Sequence, residues 1–310
     1  MISFYTMQQP QLPQLHGLLV VNKPQGISSN HCLMQIKRLG QKKIGHAGTL
    51  DPMAEGVLLV LLGQATKLSS YLLEGGGKIY AGTLLLGQET DTWDAEGTVV
   101  AQHDWRRVDS ESICSAISDW VNQNEQQVPP YSAAKKNGQP LYRLARKGER
   151  VERTKSMTIR QAEVLTLDLP YVSFRVHCSS GTYIRSLAHS LGTRLGCGAT
   201  LTALTREYSH PFGLESAHSL DAFTTNPTTL VQALVPMHCA LPDWPRLAVP
   251  DSLVDWIKNG HSVPVSALGG DNTHSRAFLM HNDCELALAR VEDTDNGGEW
   301  KIIRGLWGSV

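Results

Sequence analysis

A carboxylate, an arginine and two tyrosines, each in a distinctive local sequence, are the residues of this chain best placed to do chemistry. Asp51 closes the glycine-rich run Gly45-His46-Ala47-Gly48-Thr49-Leu50-Asp51-Pro52. An Asp before Pro is a good turn former whose carboxylate caps nearby backbone N–H groups. Two glycines also let a loop backbone approach a ligand, and a carboxylate at the mouth of a strand can act as a nucleophile or stabilise charge. Both readings stand on these residues alone. Arg185 falls in the first turn of the helix expected after Gly181, where the macrodipole disfavours a cation. A carboxylate partner would offset that cost and be oriented by the guanidinium fork; the alternative is an arginine that reaches solvent. Tyr183 lies outside the apolar stripe of that helix, so it is either a surface tyrosine or a ring free to stack on a base. Tyr80 follows Gly75-Gly76-Gly77 on a strand; by type it is a core residue, by context a site candidate. His46 can serve as a base, a metal ligand or a flat stacking ring, and without partner ligands the metal reading is the weakest. Asp91, Asp94 and Glu96 lack EF-hand spacing, so a self-bonded turn is expected of them.

The elements that must hold these residues follow from apolar periodicity and breakers. Residues 17–21 read as a strand running into the Asn22-Lys23-Pro24-Gln25-Gly26 turn. Ser28 or Ser29 then caps a helix with Cys32, Leu33, Ile36 and Leu39 on one face, ended by Gly40. Residues 57–62 form a buried-type strand, and 78–86 and 97–101 read as further strands. A helix is expected over 110–121, then a polar connector over 123–130. Leu141, Leu144 and Ala145 make a short apolar stripe that turns Arg143, Arg146 and Lys147 outward. Residues 162–169 and 171–178 resemble a hairpin, the second strand alternating Val172, Phe174, Val176 and Cys178 with polar residues. Ile184, Leu187, Ala188, Leu191 and Leu195 predict the helix that Gly196 stops. Leu241-Pro242-Asp243-Trp244-Pro245 is the best boundary, after which short strands suggest a small β-rich module.

Composition narrows the class. With 310 residues, 41% hydrophobic and 18% charged, the chain reads as an ordinary globular protein. Residues 1–16 are rich in Gln and Pro without a signal-peptide pattern and are expected to form a mobile tail. The longest apolar run is too short to span a bilayer. Six scattered cysteines without CxxC spacing read as reduced thiols of a cytoplasmic protein. No metal-ligand or cofactor motif is present. The net charge of -1 is low for a nucleic-acid binder, but it hides an uneven distribution. Lys135, Lys136, Arg143, Arg146, Lys147, Arg150, Arg153 and Lys155 crowd one stretch, while Asp251, Asp255, Asp271, Asp283, Glu292, Asp293, Asp295 and Glu299 follow the boundary. Such patterning permits RNA binding without proving it.

Read together, five ordered segments resemble the TruB family of tRNA pseudouridine synthases. They are Asn22-Lys23-Pro24-Gln25-Gly26-Ile27-Ser28-Ser29, the Gly45 to Pro52 run, Lys78-Ile79-Tyr80, Gly181-Thr182-Tyr183-Ile184-Arg185-Ser186-Leu187, and the pair Pro129-Pro130-Tyr131-Ser132-Ala133 and Gly138-Gln139-Pro140-Leu141-Tyr142. The resemblance spans residues 17 to about 204; the final segment is only weakly similar to a PUA module. It implies an α+β pseudouridine synthase fold, a mixed, mostly antiparallel sheet flanked by helices. The implied division is a tail (1–16), a catalytic domain (17–241) with an RNA-gripping insertion (about 124–155), and a PUA-like module (242–310) making modest RNA contacts. The implied reaction is isomerisation of the T-loop uridine at tRNA position 55, flipped out of the RNA, with Asp51 as catalytic aspartate attacking sugar or base. Arg185 would orient Asp51, and Tyr80 would stack on the base, with handling of the C5 proton a second role open to it. Tyr183 and Leu204 would wall the pocket, His46 would fill the gap left by the base, and Lys23 and Pro24 would brace the loop. Arg143, Arg146 and Lys147 would hold phosphates. No cofactor, metal, membrane or protein partner is implied, and a monomer acting on the T arm of tRNA is expected. A tRNA-folding chaperone activity, a guide-RNA-dependent synthase and, more distantly, a small-molecule enzyme stay open. Arg146→Glu with Lys147→Glu is predicted to weaken tRNA binding and flatten its salt dependence; affinity unchanged across a salt titration would remove this segment from the RNA grip.

Overall fold

Two apolar runs, Leu18-Leu19-Val20-Val21 and Val57-Leu58-Leu59-Val60-Leu61-Leu62, organise the molecule because both are buried on both faces. In the computed structural model, residues 12–307 are described except 133, 137, 150, 270–273 and 295–296. Residues 1–11 of the expected tail, Arg150 of the basic stretch, and Asp271 and Asp295 therefore lie outside the described residues.

The first run lies in β1 (Gly17–Lys23) and the second in β3 (Glu55–Leu62), which pairs antiparallel with β1 and with β2 (Ile44–Ala47). Alternate residues point to opposite faces of a strand. Leu19, Val21, Leu58, Val60 and Leu62 accordingly enter one core, and Leu18, Val20, Val57, Leu59 and Leu61 enter another. The sheet continues through β4 (Gly77–Leu86), the hairpin β5 (Ile159–Asp168) and β6 (Tyr171–Ser179), and β7 (Ala199–Ser209), with β8 (Phe212–Gly213) and β9 (His218–Ser219) at its margins. The order is β5-β6-β4-β7-β3-β1-β9, antiparallel except where β7 meets β3 and β1 meets β9. This is the mixed, mostly antiparallel α+β fold that the sequence led us to expect.

Helices close the first core: α1 (Ser29–Lys37), α2 (Ser110–Ser118) and, after the short α3 (Leu141–Ala145), α4 (Ile184–Leu195). Ser28 is the residue that caps α1, accepting from the His31 N–H, and Gly196 ends α4 at φ +72°. The second core is closed by the C-terminal sheet. Its strands β10 (Arg246–Ala248), β11 (Val263–Pro264), β12 (Arg276–His281), β13 (Cys284–Thr294) and β14 (Gly297–Gly305) run in the order β10-β12-β13-β14-β11. Phe278, Leu288 and Leu306 pack against the outer face of β1 and β3. Lys67 and Gln64 add hydrogen bonds to the Gly305 and Trp307 carbonyls.

Five local expectations change. Residues 12–16 are not a free tail: buried Gln41 needs partners for its amide and takes them from Pro13 O, Leu15 N and Gln14. The glycine-rich run is half strand, since residues 44–47 pair with β3. The strand expected at 97–101 is Val99–Gln102, paired with Gln88–Thr90 outside the main sheet, and the helix expected to reach 121 turns into a 3-10 turn at Asp119–Asn122. The polar connector carries a strand, Glu125–Gln127, paired with Thr154–Ser156, which ties both ends of the insertion together.

Because the C-terminal sheet covers a face of the main sheet, its removal would uncover Leu18, Val20, Val57 and Leu59. Phe278→Ala is expected to cost about 3–5 kcal/mol, read by urea denaturation, with both sheets unfolding in one transition.

Candidate active site

The loop that carries Asp51 is held from every side. Gly48 adopts φ +88°, and its carbonyl accepts from Arg206 Nη2 at 3.0 Å while Arg206 Nε reaches Val57 O at 2.6 Å. Arg206 is fully buried where β7 pairs with β3 over only two residues, so its side chain supplies donors that the strands there do not. Ser29 Oγ accepts from Leu50 N and donates to Leu50 O, both at 2.9 Å. Gly26 N–H donates to Pro52 O at 2.8 Å. Lys23, fully buried, donates to Ile27 O at 2.6 Å, Pro24 O at 2.8 Å and Pro52 O at 3.4 Å, and burial pushes its pKa down. Lys23 thus holds the loop from behind, and neither it nor Pro24 lines the cleft or stands among the residues that would touch a substrate there.

Arg185 meets the carboxylate from the start of α4. Its Nε lies 2.9 Å from Asp51 Oδ2 and its Nη2 3.0 Å from Oδ1, a two-point fork. Nη1 donates to Thr92 O at 3.2 Å and lies 3.4 Å from Asp94 Oδ2; Nη2 also donates to Tyr131 O at 3.2 Å. A buried cation at a helix N-terminus is costly, and two carboxylates and two carbonyls offset it. Asp94 is the residue that sequence reasoning missed. Its loop is self-bonded as expected, Asp94 Oδ1 accepting from Thr92 Oγ1 and Glu96 N, yet its other oxygen faces Arg185. Trp93, at φ +64°, stacks on His189 with centroids 4.3 Å apart, one helical turn beyond Arg185, and pins that loop to α4.

Asp51, about one-third exposed, opens into a cleft of about 620 Å³ whose walls include His46, Tyr80, Tyr131, Tyr142, Tyr183 and Leu204. Burial raises the pKa of the Tyr80 hydroxyl, against the opposing influence of the nearby Arg206 guanidinium. Burial, then the charges of Arg206 and Lys78, push His46 down, and its buried Nδ1 has no hydrogen-bond partner among the described residues. Both features favour a neutral ring. Tyr183 precedes α4; its N–H donates to Gln126 Oε1 at 2.7 Å, and Gln126 Nε2 donates to Gly181 O at 3.1 Å. Arg143, Arg146 and Lys147 are exposed on and just beyond α3 and do not line the cleft, although Arg146 lies over the ring of Tyr142, which does. No group of three His, Cys, Asp or Glu residues among those described is arranged to hold a metal.

Residues 37–184 match the family model of the TruB family pseudouridylate synthase N-terminal domain. The tRNA pseudouridine synthase B of Oleidesulfovibrio alaskensis is 54% identical over 97% of this chain and 99% of its own length. The chain belongs to the TruB family of pseudouridylate synthases. Another TruB relative, the tRNA pseudouridine synthase B of Nitratidesulfovibrio vulgaris Hildenborough, is 53% identical over 95% of this chain and 99% of its own. A solved Cbf5-Nop10-Gar1 complex contains a chain 26% identical, with TM-score 0.71, covering 94% of this chain and 85% of that one. Membership makes this chain a pseudouridylate synthase, an isomerase.

Within this TruB chain the structure brings Asp51, Arg185, Tyr80, Tyr183, His46 and Leu204 to one cleft. Two further residues received no role from the sequence, although Lys78 opens one of its motifs. Arg206 is an alternating position of β7 that looks like any strand arginine. Lys78, two residues before Tyr80, is 7% exposed in the cleft floor; burial and the nearby Arg206 push its pKa down to about 7. A lysine whose folded pKa falls below its unfolded value destabilises the fold while charged, so its penalty is full below pH 7 and fades as pH rises toward about 10.5. Lys78→Met is therefore expected to be more stable than wild type at pH 6, with the difference shrinking by pH 9 in chemical denaturation.

Proposed function

We propose that this chain converts a uridine of tRNA to pseudouridine at the T-loop position 55, drawing the base into the cleft beside Asp51. The Asp51–Arg185 fork at the cleft floor carries this reading, because it presents a fixed carboxylate where a flipped nucleotide can enter. The tRNA substrate is supported by the names of the full-length relatives, and the T-loop position by the motif resemblance. In the proposed reaction the C1′–N1 bond breaks with Asp51 attacking sugar C1′ or base C6. The uracil then turns, C5 bonds to C1′, the bond to Asp51 breaks to return the free carboxylate, and the C5 proton leaves as N1 gains one.

Each wall has a role in this scheme. Tyr80 and Tyr183 stack on or flank the base, Leu204 excludes water, and Arg185 keeps both Asp51 oxygens oriented. The raised pKa of Tyr80 favours stacking over ionised base catalysis. A neutral His46 ring suits the gap left by the departing base. Exposed Arg143, Arg146 and Lys147 are placed to hold phosphates outside the cleft, and the C-terminal sheet acts as a PUA-like RNA contact. The protein works in the cytoplasm as a single chain without a cofactor, and a chaperone activity on the same tRNA is compatible with this surface.

Tritium release from tRNA transcript bearing C5-tritiated uridine tests the reading. About one equivalent per tRNA is expected from wild type, falling by at least about a hundredfold with Asp51→Asn. Binding without release by wild type would reject autonomous isomerisation and leave the chaperone or guide-dependent alternative.

A further inference from the structure

Two left-handed glycines mark the cleft in the same way. Gly48 (φ +88°) stands three residues before Asp51, and Gly181 (φ +85°) four before Arg185. At each, a lysine ammonium occupies the place where a side chain would begin. Lys78 Nζ lies 2.6 Å from the position of a Cβ on Gly48, and Lys155 Nζ crowds the corresponding position on Gly181. A side chain at either glycine would push its ammonium aside. Both lysines line the cleft, together with Ser180 and Thr182.

Neither ammonium has a carboxylate partner among the described residues. Asp51 gives both oxygens to Arg185, and Asp94 faces the same guanidinium. Lys155 has a 3.5 Å hydrogen bond to Gly181 O and lies 6.0 Å from the Tyr183 ring centroid. Lys78, more than nine-tenths buried, is surrounded by charges that do not neutralise it: Arg206 and Lys155 oppose its protonation, and the thiol of Cys178, pushed up to about 11, is protonated at neutral pH. A methionine would fill that space at lower cost, since an unpaired buried charge is expensive. The cleft is therefore built to receive a negative charge on the side of Lys78 and Lys155. Uracil and ribose are neutral; in RNA the recurring anion is the phosphodiester.

Resting on the RNA reading above, we propose that Lys78 and Lys155 form a phosphate-binding subsite inside the cleft. Lys78 meets, from the floor, a non-bridging oxygen of the phosphodiester next to the nucleotide at Asp51. Lys155 completes the subsite beside Gly181. This differs from the role given to the exposed cations of α3, which hold phosphates of the stacked strand. The cleft phosphate is reached only when its nucleotide enters, so the contact rewards the flipped state.

The test uses the full chain and RNA hairpins of one sequence in which a single phosphodiester near the target uridine is replaced by an uncharged methylphosphonate. Affinity is measured for wild type, Lys78→Met and Lys155→Met, with turnover recorded alongside. Lys78→Met is expected to weaken binding of the all-phosphate hairpin by about ten- to a hundredfold. One methylphosphonate should weaken wild type by a similar factor and leave Lys78→Met without further loss. Losses that multiply at every linkage, or a wild type indifferent to every substitution beside the target, would overturn the subsite. So would failure of the wild type to bind any hairpin. Tight, phosphate-coupled binding without turnover would instead reject the proposed target uridine and leave the subsite standing. Lys155→Met gives an independent arm, because its exposed side chain carries little of the fold.

Discussion

A guanidinium at the mouth of a helix is the constraint on which the rest of this molecule turns. Arg185 cannot remain buried at the start of α4 without negative partners, and the fold brings them from two directions. Asp51 comes from the loop before β3, and Asp94 from the turn after β4. Tyr131, from the insertion, adds a carbonyl. Three segments far apart in sequence therefore meet at one side chain. Removing either carboxylate leaves the buried guanidinium under-compensated, and removing the Tyr131 carbonyl leaves one of its N–H groups short of an acceptor. The same demand that stabilises the fold also fixes the orientation of the Asp51 carboxylate.

Legibility followed locality. The hairpin β5–β6, helices α1 and α4, and the stop of α4 at Gly196 announce themselves because periodicity and breakers act over a few residues, whereas α1 ends at Lys37, short of Gly40. Asp51 and Tyr80 stood out through the glycines that precede them. Arg185 and Tyr183 were visible as candidates because each breaks a local rule: a cation in a first helical turn, an aromatic off the apolar stripe. Asp94, Arg206, Gln126 and Lys78 break none. Asp94 satisfies its own turn and Gln126 sits among polar neighbours; only the tertiary arrangement makes them partners of Arg185 and of the Gly181 and Tyr183 backbone. Residues 44–47 failed for a related reason. Gly45 and the polar His46 suggest a loop, but the free edge of β3 recruits them as a strand.

Burial of β1 and β3 on both faces explains why the division between a catalytic sheet and a C-terminal sheet is topological more than energetic. Leu18 and Leu19 are consecutive residues in different cores, so a change in the position of one strand reaches both. Arg276 strengthens the junction, pairing with Glu74 while lying over Tyr71 and Trp244. A boundary chosen from composition near residue 241 marks where the chain changes sheet, not where the packing stops.

The anchoring of the loop from Gly48 to Pro52 carries one more consequence. Its carbonyls are committed to Arg206, Ser29, Lys23 and Gly26, and the Asp51 carboxylate is clamped by Arg185. Such a carboxylate has no room to swing out and search. Adjustment on encounter then falls to the incoming molecule and to the looser walls of the cleft, because the loop has spent its hydrogen-bonding groups on its own anchors.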